Sequence, residues 1–254
     1  MNTRSRASAS APSRKSDPMA PAAGEMPFLD HLEELRSRLF RIIAALVVGV
    51  GIGLWAVFQF DVIIHFKAPI APYLPEGKLA VMQVTEQFFI TLKLGALIGA
   101  VLASPVIIYQ IWAFLSPALY DRERKAIVPA LAVGLVLFLI GGAAGWIFVV
   151  PRGLVVLLGY FPDAFNLLIT YDAYFSFVAA VVLGLGISFE LPLVMVMLGV
   201  VGVMDARRYG AFRRYAIFFS AVAAALLSPG GDVFLMLVFM GPLVLLYEIG
   251  VLGT

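Results

Sequence analysis

Cysteine does not occur anywhere in this 254-residue chain, which excludes a disulfide framework, a thiolate nucleophile and a cysteine-ligated metal. Histidine occurs only twice, as His31 and His65, both outside the apolar core segments. An intramembrane hydrolase would need a nucleophile and a base, and Ser188 lacks the Gly-x-Ser-x-Gly context. No GxxxxGK[ST] pattern is present, so the chain does not itself hydrolyse nucleotide through a P-loop. Charge is scarce too: Asp, Glu, Lys and Arg make up 13% of residues, against about 25% in an ordinary globular domain.

What is there is apolar. Hydrophobic residues reach 62% and the mean hydropathy is +0.98, well above the roughly 45–50% apolar content of globular chains. That composition defines a polytopic membrane protein. Residues 1–27 are the exception: rich in Ser, Ala, Pro, Arg and Lys and without apolar periodicity, they read as a disordered basic tail. The run Ile42–Phe58 ends without a small-residue cleavage pattern, so no cleavable signal peptide is expected.

The stretch FLDHLEELRSRLFR, Phe28–Arg41, places Phe28, Leu32, Leu35 and Leu39 at the helical period, with Glu33, Glu34, Arg36, Arg38 and Arg41 on the other face. Asp30 followed by Glu33 predicts an N-cap near Asp30. Six spans are expected, at about 39–58, 88–114, 126–150, 173–204, 215–227 and 233–247. The second holds Lys93 and an internal Pro105, and the third closes at Pro151-Arg152. Between the first two, APIAPYLPEG predicts turns or polyproline conformations rather than continued helix. Gly153–Asp172 reads as short surface helices, and SPGGD, Ser228–Asp232, as a turn between two short spans. Those last two cover only about 20–23 Å of a hydrocarbon core near 30 Å. The glycine pairs Gly49/Gly53, Gly95/Gly99 and Gly141/Gly145 predict close helix contacts within the chain. Trp55, Trp112 and Trp146 lie near span ends, as interfacial anchors would.

Lysine and arginine set the orientation. Fourteen fall in the tail and alternate connections, from Arg4 to Arg41, at Arg122, Arg124 and Lys125, and from Arg207 to Arg214; the opposite side holds only Lys67, Lys78 and Arg152. The N-terminus is therefore expected in the cytoplasm, and an even span count returns the C-terminus there. The fold class is all-α, with residues 28–254 forming one transmembrane domain.

Carboxylates carry the chemistry. Glu33, Glu34 and Glu123 lie among basic residues on the predicted cytoplasmic face. Such groups are ordinarily solvated ion pairs of little energetic weight. Two carboxylates converging from separate segments could instead bind two adjacent guanidinium groups bidentately, which lysine could not reproduce. Glu190 stands alone in the middle of an apolar span, where ionisation costs about 2.5–3.5 kcal/mol or more, so a function is the default expectation. A pair with Lys93 is the structural alternative. Pro192 predicts a kink beside it.

HLEELRSRL at 31–39, APIAPYLPEG, SPVIIYQIWAFLSPALYDRERK, GISFELP and SPGGD, in that order, resemble the TatC family, the multispanning receptor subunit of the twin-arginine protein translocase. The likeness covers about residues 28–250. It implies six helices forming a concave cup in the cytoplasmic (inner) membrane, recognition of signal peptides bearing consecutive arginines, and export of folded proteins driven by the proton-motive force. The single-span partners TatA and TatB are implied with it. Carried over residue by residue, Glu34 and Arg36 fall on the family's E-L-R and Glu123 on its first-loop glutamate. Glu34 and Glu123 are thus the candidates for the twin-arginine site. Phe114, Ser116, Pro117, Leu119 and Tyr120 match positions shaping it, and Gln110 could add a polar contact. Pro69 matches a rigid external-loop proline, and Glu190 a cavity-facing polar contact. SPGGDVFLM departs from the family's ending by an added glycine and by Met236 in place of a glutamine, which bears on Asp232. No enzyme activity, cofactor or metal is implied. A secondary transporter with an intramembrane carboxylate is the competing reading, but neither an internal repeat nor paired broken helices are visible.

Overall fold

A computed structural model describes residues 28–74, 78–115, 127–159, 168–200, 202–228 and 233–254. Those residues are helical almost throughout, and the one β feature among them is an isolated parallel bridge between Ala80 and Thr170. Helix α1 runs Phe28–Gln59, α2 Val62–Lys67, and a 3₁₀ turn occupies Ala71–Tyr73. Then follow α3 (Glu86–Leu115), α4 (Ile127–Ala144), a π-helical turn (Gly145–Val149) and α5 (Val150–Gly159). The remaining helices are α6 (Tyr171–Phe189), α7 (Leu191–Val200), α8 (Ala206–Leu227) and α9 (Val233–Gly253). Five stretches among the described residues are long and apolar enough to cross a bilayer: Leu32–Gln59, Glu86–Phe114, Pro129–Gly159, Tyr171–Val200 and Met236–Gly253. α8 has the length, but Arg207, Arg208, Arg213 and Arg214 occupy its first turns and leave only the apolar part from Tyr215 onward.

The glycines decide how closely the first two long helices approach. A Cβ at Gly49 would meet the Gly99 carbonyl oxygen at 2.5 Å, and one at Gly99 would meet the Val50 nitrogen at 2.5 Å, so α1 and α3 touch backbone to backbone. Gly141 and Gly145 make the same kind of approach to Leu185 and Val181 of α6. The expected packing within the chain is thus observed. α8 packs on α9, which also takes α7.

Four boundaries differ from the sequence reading. α1 already includes Phe28 at the first described residue, so Asp30 lies inside the helix and is not its N-cap. The third run does not close at Pro151. The π turn just before it lets the Val150 N–H reach back to the Gly145 carbonyl, and the helix continues through Pro151 to Gly159. α9 is not short: its 21 residues continue past Tyr247 to Gly253, a rise of about 31 Å. The described residues within 153–172 form no separate surface helix: 153–159 belong to α5, which continues the third spanning stretch, and Tyr171 and Asp172 open α6.

The prolines behave individually. Pro105 leaves α3 unbroken, because the Val101 carbonyl that it cannot serve is taken by the Ser104 hydroxyl, which donates to it at 2.7 Å. Pro192 does coincide with a break, since α6 ends at Phe189, Glu190 caps it and α7 restarts at Leu191. At the end of the bundle holding α2, Phe66 packs against Trp146, Tyr171, Tyr174 and Phe175, and Tyr174 donates a hydrogen bond to the Phe66 carbonyl at 2.7 Å. The loop between α1 and α3 is thereby fastened onto α6. Trp112 is buried and Trp146 stacks inside this cluster, so only Trp55 is exposed as an interfacial anchor would be.

Candidate functional site

At the opposite end of the bundle, α1 carries Glu34 and α3 carries Gln110, and Arg38 joins them. One helical turn separates Glu34 from Arg38, so the two side chains share a face. The Arg38 Nε donates to the Glu34 Oε1 at 2.9 Å, and its Nη2 donates to the same oxygen. Its Nη1 donates to the Gln110 Oε1 at 3.4 Å. Gln110 is only 6% exposed, so it is a fixed interior acceptor and not the solvated helix-end glutamine that its position suggests. Arg36 turns away from this cluster and lies over the Phe40 ring, 5.7 Å from its centroid. Phe114, in the last turn of α3, is half-buried. Ser116, Pro117, Leu119, Tyr120, Glu123 and Asp232 lie outside the described residues.

Glu190 sits at the joint of α6 and α7. Its carboxylate faces Gly134 of α4, where a Cβ would come within 3.0 Å of Oε2, and its Oε1 is buried with no hydrogen-bond partner among the described residues. Beside it a cavity of about 570 Å³ is lined by Gly184, Ile187, Leu191, Val194, Ala223 and Leu226. The alternative of a pair with Lys93 is overturned. Lys93 forms its ion pair with Asp172 near the start of α6, at the α2 end of the bundle and away from the α6–α7 joint. Pro69 follows α2 in a turn closed by the Ile70 N–H donating to the Lys67 carbonyl at 3.1 Å.

Arg38 and Gly134 were not singled out by the sequence reading. The i,i+4 spacing of Glu34 and Arg38 was a signal that could have found the first; nothing local marks the second.

Apolar helices of spanning length, with a carboxylate engaged by a guanidinium at one end and another sunk among apolar helices, define a multi-pass helical membrane protein. Residues 30–242 match the family described as Sec-independent protein translocase protein (TatC). The Sec-independent protein translocase protein TatC of Aquifex aeolicus (strain VF5) is 38% identical over 232 residues, covering 89% of this chain and 93% of the relative. That of Escherichia coli (strain K12) is 36% identical over 227 residues, covering 89% and 86%. A crystal structure of the twin arginine translocase receptor TatC superposes with a TM-score of 0.77 at 37% identity, covering 88% of this chain and 97% of that one. The chain belongs to the TatC family.

Proposed function

We propose that this protein is the receptor subunit of a twin-arginine translocase, binding consecutive arginines of a signal peptide through Glu34 and Glu123. In this reading Arg36, Gln110, Phe114 and Tyr120 shape the site, Pro69 stiffens the first external loop, Asp232 belongs to the last external loop, and Glu190 offers a polar contact within the membrane. α8 is the fifth of six spans in a cup-like wall, with both termini in the cytoplasm and the chain in the inner membrane. TatA and TatB join it to move folded cargo at the expense of the proton-motive force.

The observation supporting the site is that Glu34 already holds a guanidinium, that of Arg38, in a two-donor contact backed by a buried amide. Lysine cannot make that contact. The test is binding of an Arg-Arg signal peptide to the purified protein in nanodiscs, for wild type, Glu34→Ala, Glu123→Ala and the double variant. Both single variants are expected to lose affinity, and the double to lose less than the sum, with a Lys-Lys peptide bound weakly by all four. Unchanged affinity throughout would remove the two carboxylates from the site.

A further inference from the structure

We infer that Arg38 is an internal occupant of the arginine site and sets the affinity threshold that a ligand must exceed; the inference rests on the Glu34 reading above. An exposed ion pair one helical turn apart is ordinarily worth little. This one is enclosed: the Arg38 and Glu34 side chains are 16% and 22% exposed. Two of the three guanidinium nitrogens converge on a single oxygen, Oε1, and the third is held by Gln110 from another helix, 72 residues away. Arg38 therefore presents to Glu34 the kind of two-donor guanidinium contact that a ligand arginine would offer, with both donors on Oε1.

An oxygen receiving two donors from one guanidinium has no room for the fork of a second, so Arg38 and a ligand arginine exclude each other at Oε1. Binding is then an exchange. The ligand's guanidinium takes the place of Arg38 at Glu34, Arg38 is released, and the charge opposite the carboxylate is conserved. That avoids leaving a half-buried carboxylate uncompensated at any point. A lysine ligand brings one point charge and cannot restore the two-donor arrangement that it displaces. The competitor weakens every ligand by the same factor, because it reduces the fraction of receptor ready to bind. It leaves the arginine-to-lysine ratio unchanged and pushes the weaker, lysine-bearing peptides below useful affinity.

The test measures binding of an Arg-Arg and a Lys-Lys signal peptide to the full chain in nanodiscs, for wild type, Arg38→Gln, Arg38→Lys and Glu34→Gln, each with its thermal midpoint. Arg38→Gln is expected to bind both peptides about three- to tenfold more tightly with their ratio unchanged. Arg38→Lys, which keeps the charge and loses the fork, is expected between it and wild type, and it carries the test if Arg38→Gln does not fold. Equal or weaker Arg-Arg binding in both Arg38 variants, with Glu34→Gln still impaired, would overturn the inference and leave the site standing. A gain confined to one of the two peptides would overturn it as well. Indifference of the Arg-Arg peptide to Glu34→Gln would overturn the site itself.

Discussion

Glu190 shows how one carboxylate is accommodated in an apolar span. Placing it there costs about 2.5–3.5 kcal/mol if it is ionised, and the packing leaves it space without giving Oε1 a partner among the described residues. The space is Gly134, whose missing side chain would otherwise press on both carboxylate oxygens and on Leu193. Gly134→Val is therefore expected to displace the carboxylate and to lower transport of a twin-arginine cargo by about tenfold, the scale set by the roughly 1–3 kcal/mol that overpacking a close contact costs. Affinity for an Arg-Arg signal peptide, which the proposed Glu34 site would bind without Glu190, should stay at the wild-type value. Parallel loss of both would mean general distortion, as read in the same reconstituted preparation. Glu190 was legible in the sequence because a lone charge in an apolar run is conspicuous. Gly134 was not, because its importance lies in what stands opposite it across a helix interface.

Among the elements, the α1–α3 contact is the closest and the most easily tested. Gly49 and Gly53 face Gly95 and Gly99 so tightly that a Cβ at Gly49, Gly53 or Gly99 meets backbone within 2.5 Å, which cannot yield as a side chain can, while one at Gly95 first meets the Leu54 side chain. Gly99→Leu should lower stability by about 1–3 kcal/mol or more, seen as a reduced thermal midpoint in detergent. Gly51 supplies the control, since a Cβ there meets nothing within 4 Å, and Gly51→Leu should leave the midpoint unchanged. Equal midpoints for the two variants would mean that helix contact does not limit stability. The loop between α1 and α3 gives a second test. Tyr174→Phe removes the bond to the Phe66 carbonyl and should cost about 0.5–1.5 kcal/mol, with faster amide exchange in α2. Spacing alone marked the glycines that allow close helix approach, though not which of them meet, whereas the fates of Pro105, Pro151 and Pro192 depended on a serine hydroxyl, a π turn and a helix break respectively.

At the scale of the whole molecule, the question is how many times the chain crosses. An even count requires α8 to span despite its four arginines. Because the chain has no cysteine, single reporters can be introduced without background: Ser37→Cys, Lys78→Cys and Thr254→Cys, all exposed positions. A membrane-impermeant maleimide added to intact spheroplasts should label Lys78→Cys and spare the other two. Labelling of Thr254→Cys but not Ser37→Cys would mean an odd count and rule out α8 as a span.

By itself the sequence determined that this is an all-helical membrane protein, where its apolar runs lie, which connections are basic and which carboxylates stand out. Hydropathy, helical period and charge asymmetry are local or additive, so a linear reading captures them. The tertiary structure alone decided that Arg38 occupies Glu34 with help from Gln110, that Lys93 pairs with Asp172 and not with Glu190, and that Gly134 makes room for the buried carboxylate. Each depends on the depth at which two helices meet, and that is fixed by side-chain packing between segments far apart in the chain.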